Sequence, residues 1–531
     1  MLAFPHGRGF LAFSRHYGFL ALFVLLAIAA PALGQSAAKK LPSAEKIVAD
    51  YIKATGGKKA AAAQRDATYE WTVYFNNQPF GAARTLRKAP GSERFELTFG
   101  NGQIISAANT RSAWELGFDK QPRTLTSLEA ATAKLQATLA ASRLVDLKKA
   151  NVLARVISLG DLANDPAYIV EFSTRSGARL QYHFSVKSKL ITKITSDTKK
   201  TYIICEDYRP EHGLLEPHRL RMSLSGAGTL TPTGELTLAL QSVAQNTGID
   251  DALFDPPAAT ESLDINALLR EVALNQDAIE QRVTEYSFKQ KETDRTINSK
   301  GEVKKETVKI YEVFPLPNRE PVQKLISEDG VPLPAERAAK EDKRVQEEFL
   351  KAEREKEKDA QEAARRRAER EKKKKDDDEA DPAISMFLRA CDFVSPRRER
   401  FEGRESIVFD FRPRANFKPK TREESLIAKL VGVVWIDPVD KQVMRLEARL
   451  AEGFKMGGGL LVSLKPGAAL VMEQTRMVEG VWLPRFAQIN LSVKVLLFAG
   501  GDFNKTIEWS DYKHFSGDVK DYKIEVKDPP R

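Results

Sequence analysis

The chain has 531 residues, 42% of them hydrophobic and 29% charged, with 83 Lys and Arg against 73 Asp and Glu and a net charge of +10. That length and apolar content exclude a small stapled fold and favour several domains, each with its own core. Two cysteines exclude a disulfide framework and a zinc ribbon.

Residues 1–34 read as a signal peptide. Arg8 and Arg15 precede the apolar run GFLALFVLLAIAA (18–30), and Ala32-Leu33-Gly34 offers small residues for cleavage before Gln35. An uncleaved anchor is the alternative, although the run is short for a membrane span. No Cys follows the cleavage point, so lipidation is not expected. The mature product is expected to be exported, and periplasmic where the cell has an outer membrane. Export argues against nucleic acid as the partner of the positive charge, and no aromatic cluster interleaves with Lys and Arg. Transient contact with an anionic membrane surface suits that charge better.

LPSAEKIVADYIKATGG (41–57) predicts an amphipathic helix, with Ser43 to cap it and Gly56-Gly57 to end it. YEWTVYF, ARTLRK, RFELTF and QIISAAN then alternate as short strands of a meander. Ala and Leu at helical spacing predict a helix over 127–149. Strands return with AYIVEFS, the hairpin RLQYHFSVKSKLITKITSD (179–197), YIICEDYR and PHRLRMSLSG, and the unit closes at DDALFDPP (250–257). It spans 41–257, followed by a linker at 258–263.

The order then restarts across 264–531. DINALLREVALNQDAIEQRV (264–283) predicts a helix, and 286–314 a long hairpin turning at Asn298 to Gly301. The stretch 336–381 carries 16 basic and 17 acidic residues. Its Val345, Phe349 and Leu350 do not sustain heptads, so a solvated single helix or mixed-charge disorder is expected there rather than a coiled coil. ISMFLRACDFV (384–394) predicts a helix and RFEGRESIVFDFRP a hairpin at Glu402-Gly403. LVGVVWIDPVDKQVMRLEARL (430–450) is a second hairpin like that of 179–197, and NKTIEWSDYKHF a closing strand. Each half thus ends in a strand after a G-x-x-x-P phrase, GLLEPHR (213–219) and GVWLPRF (480–486).

Helix, meander, helix and meander, written twice with these hairpins and phrases, resemble the LolA/LolB lipoprotein-carrier family. The resemblance covers most of 41–257 and about 263–515 without the charged insertion. It implies an α+β chain of two tandem LolA-like domains, each a curved antiparallel half-barrel wrapped over helices and enclosing an apolar cavity for acyl chains. A lipid or acylated lipoprotein is then the expected partner, carried without catalysis. RseB-like regulators, which use such a fold for signalling, are the alternative, with 336–381 as an arm for a protein partner.

Candidate cavity residues follow from pattern alone. They are Trp71, Phe95, Phe99, Tyr182 and Phe184 in the first half, and Val433, Trp435, Leu446 and Trp482 in the second. Plain core packing is the alternative for each. No catalytic residue, metal ligand or cofactor is expected. His183, His212 and His218 form the one conceivable imidazole cluster, and G-x-S-x-G, H-E-x-x-H and P-loop motifs do not occur. Cys205 and Cys391, in apolar surroundings, read as buried free thiols.

Overall fold

The computed structural model describes residues 41–514 apart from 101, 163–164, 197, 199, 225–233, 284, 299–302, 317–319, 377–381, 457–461, 478–479 and 496–497. The predicted signal peptide, most of the 298–301 turn and the end of the charged stretch therefore lie outside the described residues.

Among the described residues the α-helices are α1 (Ala44–Ala54), α2 (Lys58–Ala63), α3 (Ser127–Ala141), α4 (Ile265–Val283), α5 (Ala335–Asp376), α6 (Pro382–Ala390) and α7 (Arg422–Ile427). Local chemistry sets their ends. Ser43 Oγ accepts from Lys46 N at 3.3 Å to start α1, and Asp264 Oδ1 accepts from Ala267 N at 2.9 Å to start α4.

The strands form two antiparallel sheets. The first runs from edge strand Pro122–Thr124 through Ala113–Leu116, Gly102–Ala108, Ser92–Phe99 and Gln78–Lys88 to Asp66–Phe75. That strand pairs with the last of its half, Gly234–Gln245, and the sheet continues through Leu214–Leu224, Thr201–Glu211, Ile191–Ser196, Arg179–Ser185 and Asp165–Ser173 to Leu153–Leu162. The second sheet repeats the plan. Its first long strand, Tyr286–Ile297, pairs with the final one, Phe498–His514, in the register Gln290↔Trp509. On one side lie Val303–Phe314, Val322–Glu328 and Val331–Pro332; on the other lie Trp482–Val495, Ala469–Arg476, Gln442–Leu450, Leu430–Asp437, Arg404–Pro413 and Cys391–Phe401. In both halves the chain returns to zip its last strand onto its first.

The repeated phrases have repeated backbone roles. Gly213 and Gly480 both take φ of +82°, a conformation that costs a side-chain-bearing residue free energy, and each turns the chain into a long strand. The second-half hairpin is fixed by Asp437, whose Oδ1 accepts from Val439 N and Asp440 N, both at 2.8 Å. Ser185 plays the same part in the first, accepting from Lys187 N at 3.1 Å and Ser188 N at 3.0 Å.

The fold differs from the sequence reading in four places. The helix expected over 127–149 stops at Ala141, beyond which Arg143, Leu144 and Asp146 take positive φ. Leu153–Leu162 and Gly234–Gln245 are strands that patterning did not single out. The helix expected over 384–394 ends at Ala390, and Cys391 opens a strand. The charged stretch is helical to Asp376, and its start is docked rather than solvated: Val345 and Phe349, 0% and 4% exposed, pack on Val322, Phe314 and Leu316. Polar contacts share in this docking: Leu325 N donates to Glu341 Oε2 at 3.2 Å, and Arg337 pairs with Glu328 at 2.7 Å.

The halves meet through the face of the second sheet opposite its helices. Arg397 and Arg445 are each 1% exposed there, and Asp410 is fully buried. Ser112 donates to Asp410, and Thr124 donates to Glu399 through N at 2.9 Å and Oγ1 at 2.6 Å. Both cysteines are free thiols, and burial pushes each up to about 12.

Candidate functional site: an apolar cavity in the second half

Side chains alternate across a strand, so each strand of the second sheet feeds two faces. Ile407, Phe409, Phe411, Val434, Ile436 and Ala448 point to α4 and α6, forming a core with Leu269 and Val272. Val408, Val433, Trp435 and Met444 form a separate cluster with Trp482. Asp410, Arg445 and Glu447 share register rows or parity with that second set.

The cavity arises where one register row runs short of volume. Phe411 pairs with Gly432, Gly432 with Ala448, Ala448 with Leu470, and Leu470 with Ile489. Ala448, small in the middle of the row, leaves space beneath the helices. Gly432 is forced to be small, because a Cβ there would fall on the Glu447 carbonyl oxygen and 2.7 Å from the Phe411 ring. The space measures about 290 Å³ and is lined only by Leu, Val, Ile, Phe and Ala side chains, from Leu269 and Val272 of α4, Phe387 of α6 and Ile427 of α7 to Val434 and Ile489 of the sheet. An apolar cavity of roughly half that volume stays dry and takes up a small hydrocarbon. The arrangement can hold an aliphatic chain by dispersion and desolvation. It offers no polar group for chemistry.

Of the residues nominated from sequence, Leu446 lines this cavity. Val433, Trp435 and Trp482 lie in the cluster on the other face, packed with Val408, Met444 and Phe401. In the first half the nominees fall into two groups that are not brought together. Trp71 stacks on Tyr69 at 6.1 Å and donates through Nε1 to Thr85 at 3.1 Å, with Phe95 and Phe99 packed on that cluster. Tyr182 and Phe184 pack with Phe172, ring centroids 5.0 and 6.5 Å from it, against Leu135 and Leu139 of α3 and Ile47 and Val48 of α1. That helix-covered face is filled by side chains. The cavity residues that sequence reasoning missed include Val434, which neighbours the nominated Val433 and Trp435 but points to the opposite face, and Ala448 and Ile489. Ala448, two residues from Leu446 and so on the same strand face, was the signal that could have found them.

His212 lies 3.0 Å from the Val243 carbonyl, and His218 lies 3.1 Å from Glu211. Among the described residues no group of three or more His, Cys, Asp and Glu could hold a metal ion, and no helix is long and apolar enough to cross a membrane.

No family model and no curated protein matches the chain. Among solved structures it is similar to a LolA superfamily protein from Nitrosomonas europaea, at 13% identity and a TM-score of 0.28, covering 40% of this chain and 98% of that one. It is similar to an outer-membrane lipoprotein-sorting protein domain from Vibrio parahaemolyticus, at 10% identity and a TM-score of 0.27, covering 40% and 97%. It is also similar to the Pseudomonas aeruginosa MucA/MucB complex, at 8% identity and a TM-score of 0.18, covering 88% and 99%.

Proposed function

We propose that the chain is an exported, non-catalytic carrier of two tandem LolA-like domains, 41–257 and 264–531, and that the second holds an acyl chain of a lipid or lipoprotein. The observation that carries this reading is the 290 Å³ cavity under α4, α6 and α7, whose lining is wholly apolar. Such a lining rewards an aliphatic chain with about 25 cal/mol per Å² of surface removed from water, and leaves any polar ligand with unpaired groups. The family resemblance of the two hairpins and G-x-x-x-P phrases supports the same class of ligand. The first half, whose helix-covered face is packed with Phe172, Tyr182 and Phe184, would serve as the rigid partner. Periplasmic location follows the sequence reading of residues 1–34.

The test is native mass spectrometry of protein from the periplasm of its own host, followed by organic extraction and lipid identification. Stoichiometric lipid or acylated peptide, lost in an Ala448→Phe variant, is the expected result. Protein that is apo and stays apo after incubation with lipid would overturn the reading. A scaffold for protein partners, the RseB-like use of the fold, would then take its place.

A further inference from the structure

The two halves enclose a second space, a cleft of about 520 Å³. Its walls are α3 and the 174–177 turn of the first half, and residues of strands Leu430–Asp437, Gln442–Leu450, Ala469–Arg476 and Trp482–Val495 of the second sheet. Four basic side chains, Arg111, Lys134, Arg175 and Arg449, reach it against a single carboxylate, Glu447. That carboxylate is already matched, accepting from Arg445 Nε at 3.0 Å and Nη2 at 2.6 Å. Two of the cations are not. Lys134 Nζ donates to the Arg111 carbonyl at 2.7 Å, and Arg449 donates to the Thr110 carbonyl through Nε at 2.9 Å and Nη2 at 2.6 Å. Among the described residues neither has a carboxylate within ion-pair distance. Arg111 Nε is buried without a hydrogen-bond partner, 3.8 Å from Asp410.

Cations drawn out of water towards carbonyl oxygens alone are a cost to the fold. The cost is visible in Lys134, pushed down to about 8, and in Arg449, pushed down to about 10, each chiefly by desolvation. An incoming anion would offset it. The cleft is also within the range of about 300–1,000 Å³ typical of small-molecule sites. Leu128, Val152, Val471 and Phe486 supply an apolar wall beside the cations.

We propose that this interdomain cleft binds a phosphate or carboxylate group, carried by a small amphiphile whose apolar part lies along Leu128, Val152 and Phe486. The cleft and the acyl cavity share Ala448, Ala469, Leu470 and Leu491 in their linings, so the anion site is tested at Lys134 and Arg449, which line the cleft alone.

Isothermal titration calorimetry on the full chain at low salt, with hexyl phosphate, hexanol and inorganic phosphate, tests this. Hexyl phosphate should bind at least roughly tenfold tighter than hexanol, the scale of one charge-assisted contact, and lose that margin at high salt. Lys134→Gln and Arg449→Gln should each weaken it by about tenfold. Arg449 also ties the halves together through Thr110. Lys134→Gln, which loses a bond within one half only, is therefore the variant to read if Arg449→Gln unfolds. Inorganic phosphate binding as tightly as hexyl phosphate would support the anion site and identify free anion as its source. Equal binding of hexyl phosphate and hexanol, or hexyl phosphate binding unmoved by Lys134→Gln in folded protein, would overturn the proposal.

Discussion

Arg397, on the edge strand of the second sheet, donates to Thr124 Oγ1 on the edge strand of the first, through Nη2 at 2.5 Å and Nε at 3.2 Å. Its charge is matched within its own half by Glu399 at 2.7 Å and Asp410 at 3.1 Å. One buried guanidinium therefore holds two carboxylates and spans the boundary between the halves.

Removing that cation strands both carboxylates. Arg397→Met should cost about 3–5 kcal/mol, the usual penalty of breaking a buried pair from one side. Urea unfolding should register the loss, and limited proteolysis should cut faster within 250–264, where the two sheets are joined. Combining it with Glu399→Gln and Asp410→Asn should recover part of the stability.

Ala448→Phe places a ring in the lining of the cavity. Overpacking should cost about 1–3 kcal/mol, leaving the protein folded. Binding of an acyl-chain probe should fall to background. A variant that binds the probe as well as the parent would show that the chain sits elsewhere.

Gly432→Ala tests the register row shared with Ala448 from the backbone side. The added Cβ meets the Glu447 carbonyl and the Phe411 ring, so the strands must separate. A loss of about 2–3 kcal/mol is expected in thermal unfolding, more than a mid-strand glycine substitution at an open site.

Lys134 makes stability depend on alkaline pH. Burial lowers it to about 8, aided by Arg449 and Arg445, while Glu447 and Asp410 oppose the shift. As pH rises, the folded protein sheds this proton near 8, whereas the unfolded chain keeps it to about 10.5. Between those values the unfolded state binds more protons, so the contribution to stability rises with pH, and below 8 the penalty is present in full. Allowing for partial solvent screening, Lys134→Met should be about 1–2 kcal/mol more stable than the parent at neutral pH. That gap should close as the pH approaches 10. A gap independent of pH would mean that packing, and not the charge, accounts for it.

Phe349→Ala should undock the start of α5. Phe349 touches Phe314 at a centroid distance of 6.0 Å, and it closes a small cluster with Val322 and Val345. Hydrogen exchange over 336–350 should speed up markedly, while the second sheet keeps its protection.

The period-2 runs, the turn residues at Asp437 and Glu402-Gly403, and the caps of α1 and α4 determined where most strands and helices lie, because those signals are satisfied within a few residues of chain. The parity of the cavity was beyond them. Alternation says which residues share a face and is silent on what covers it. In Leu430–Asp437 every position from Val431 onward is buried, so both faces read alike. Trp435 and Val433 drew attention, yet their face carries Asp410 and Arg445, which bond to Ser112 and Ser127 of the first half, and the cavity opens on the other side, beside Ala448. Tertiary packing also decided that Val345 and Phe349 would seat a charged helix, and that Arg111, Lys134 and Arg449, distant in sequence, would face one cleft. Each of these depends on which surface the chain folds back upon, which no local period encodes.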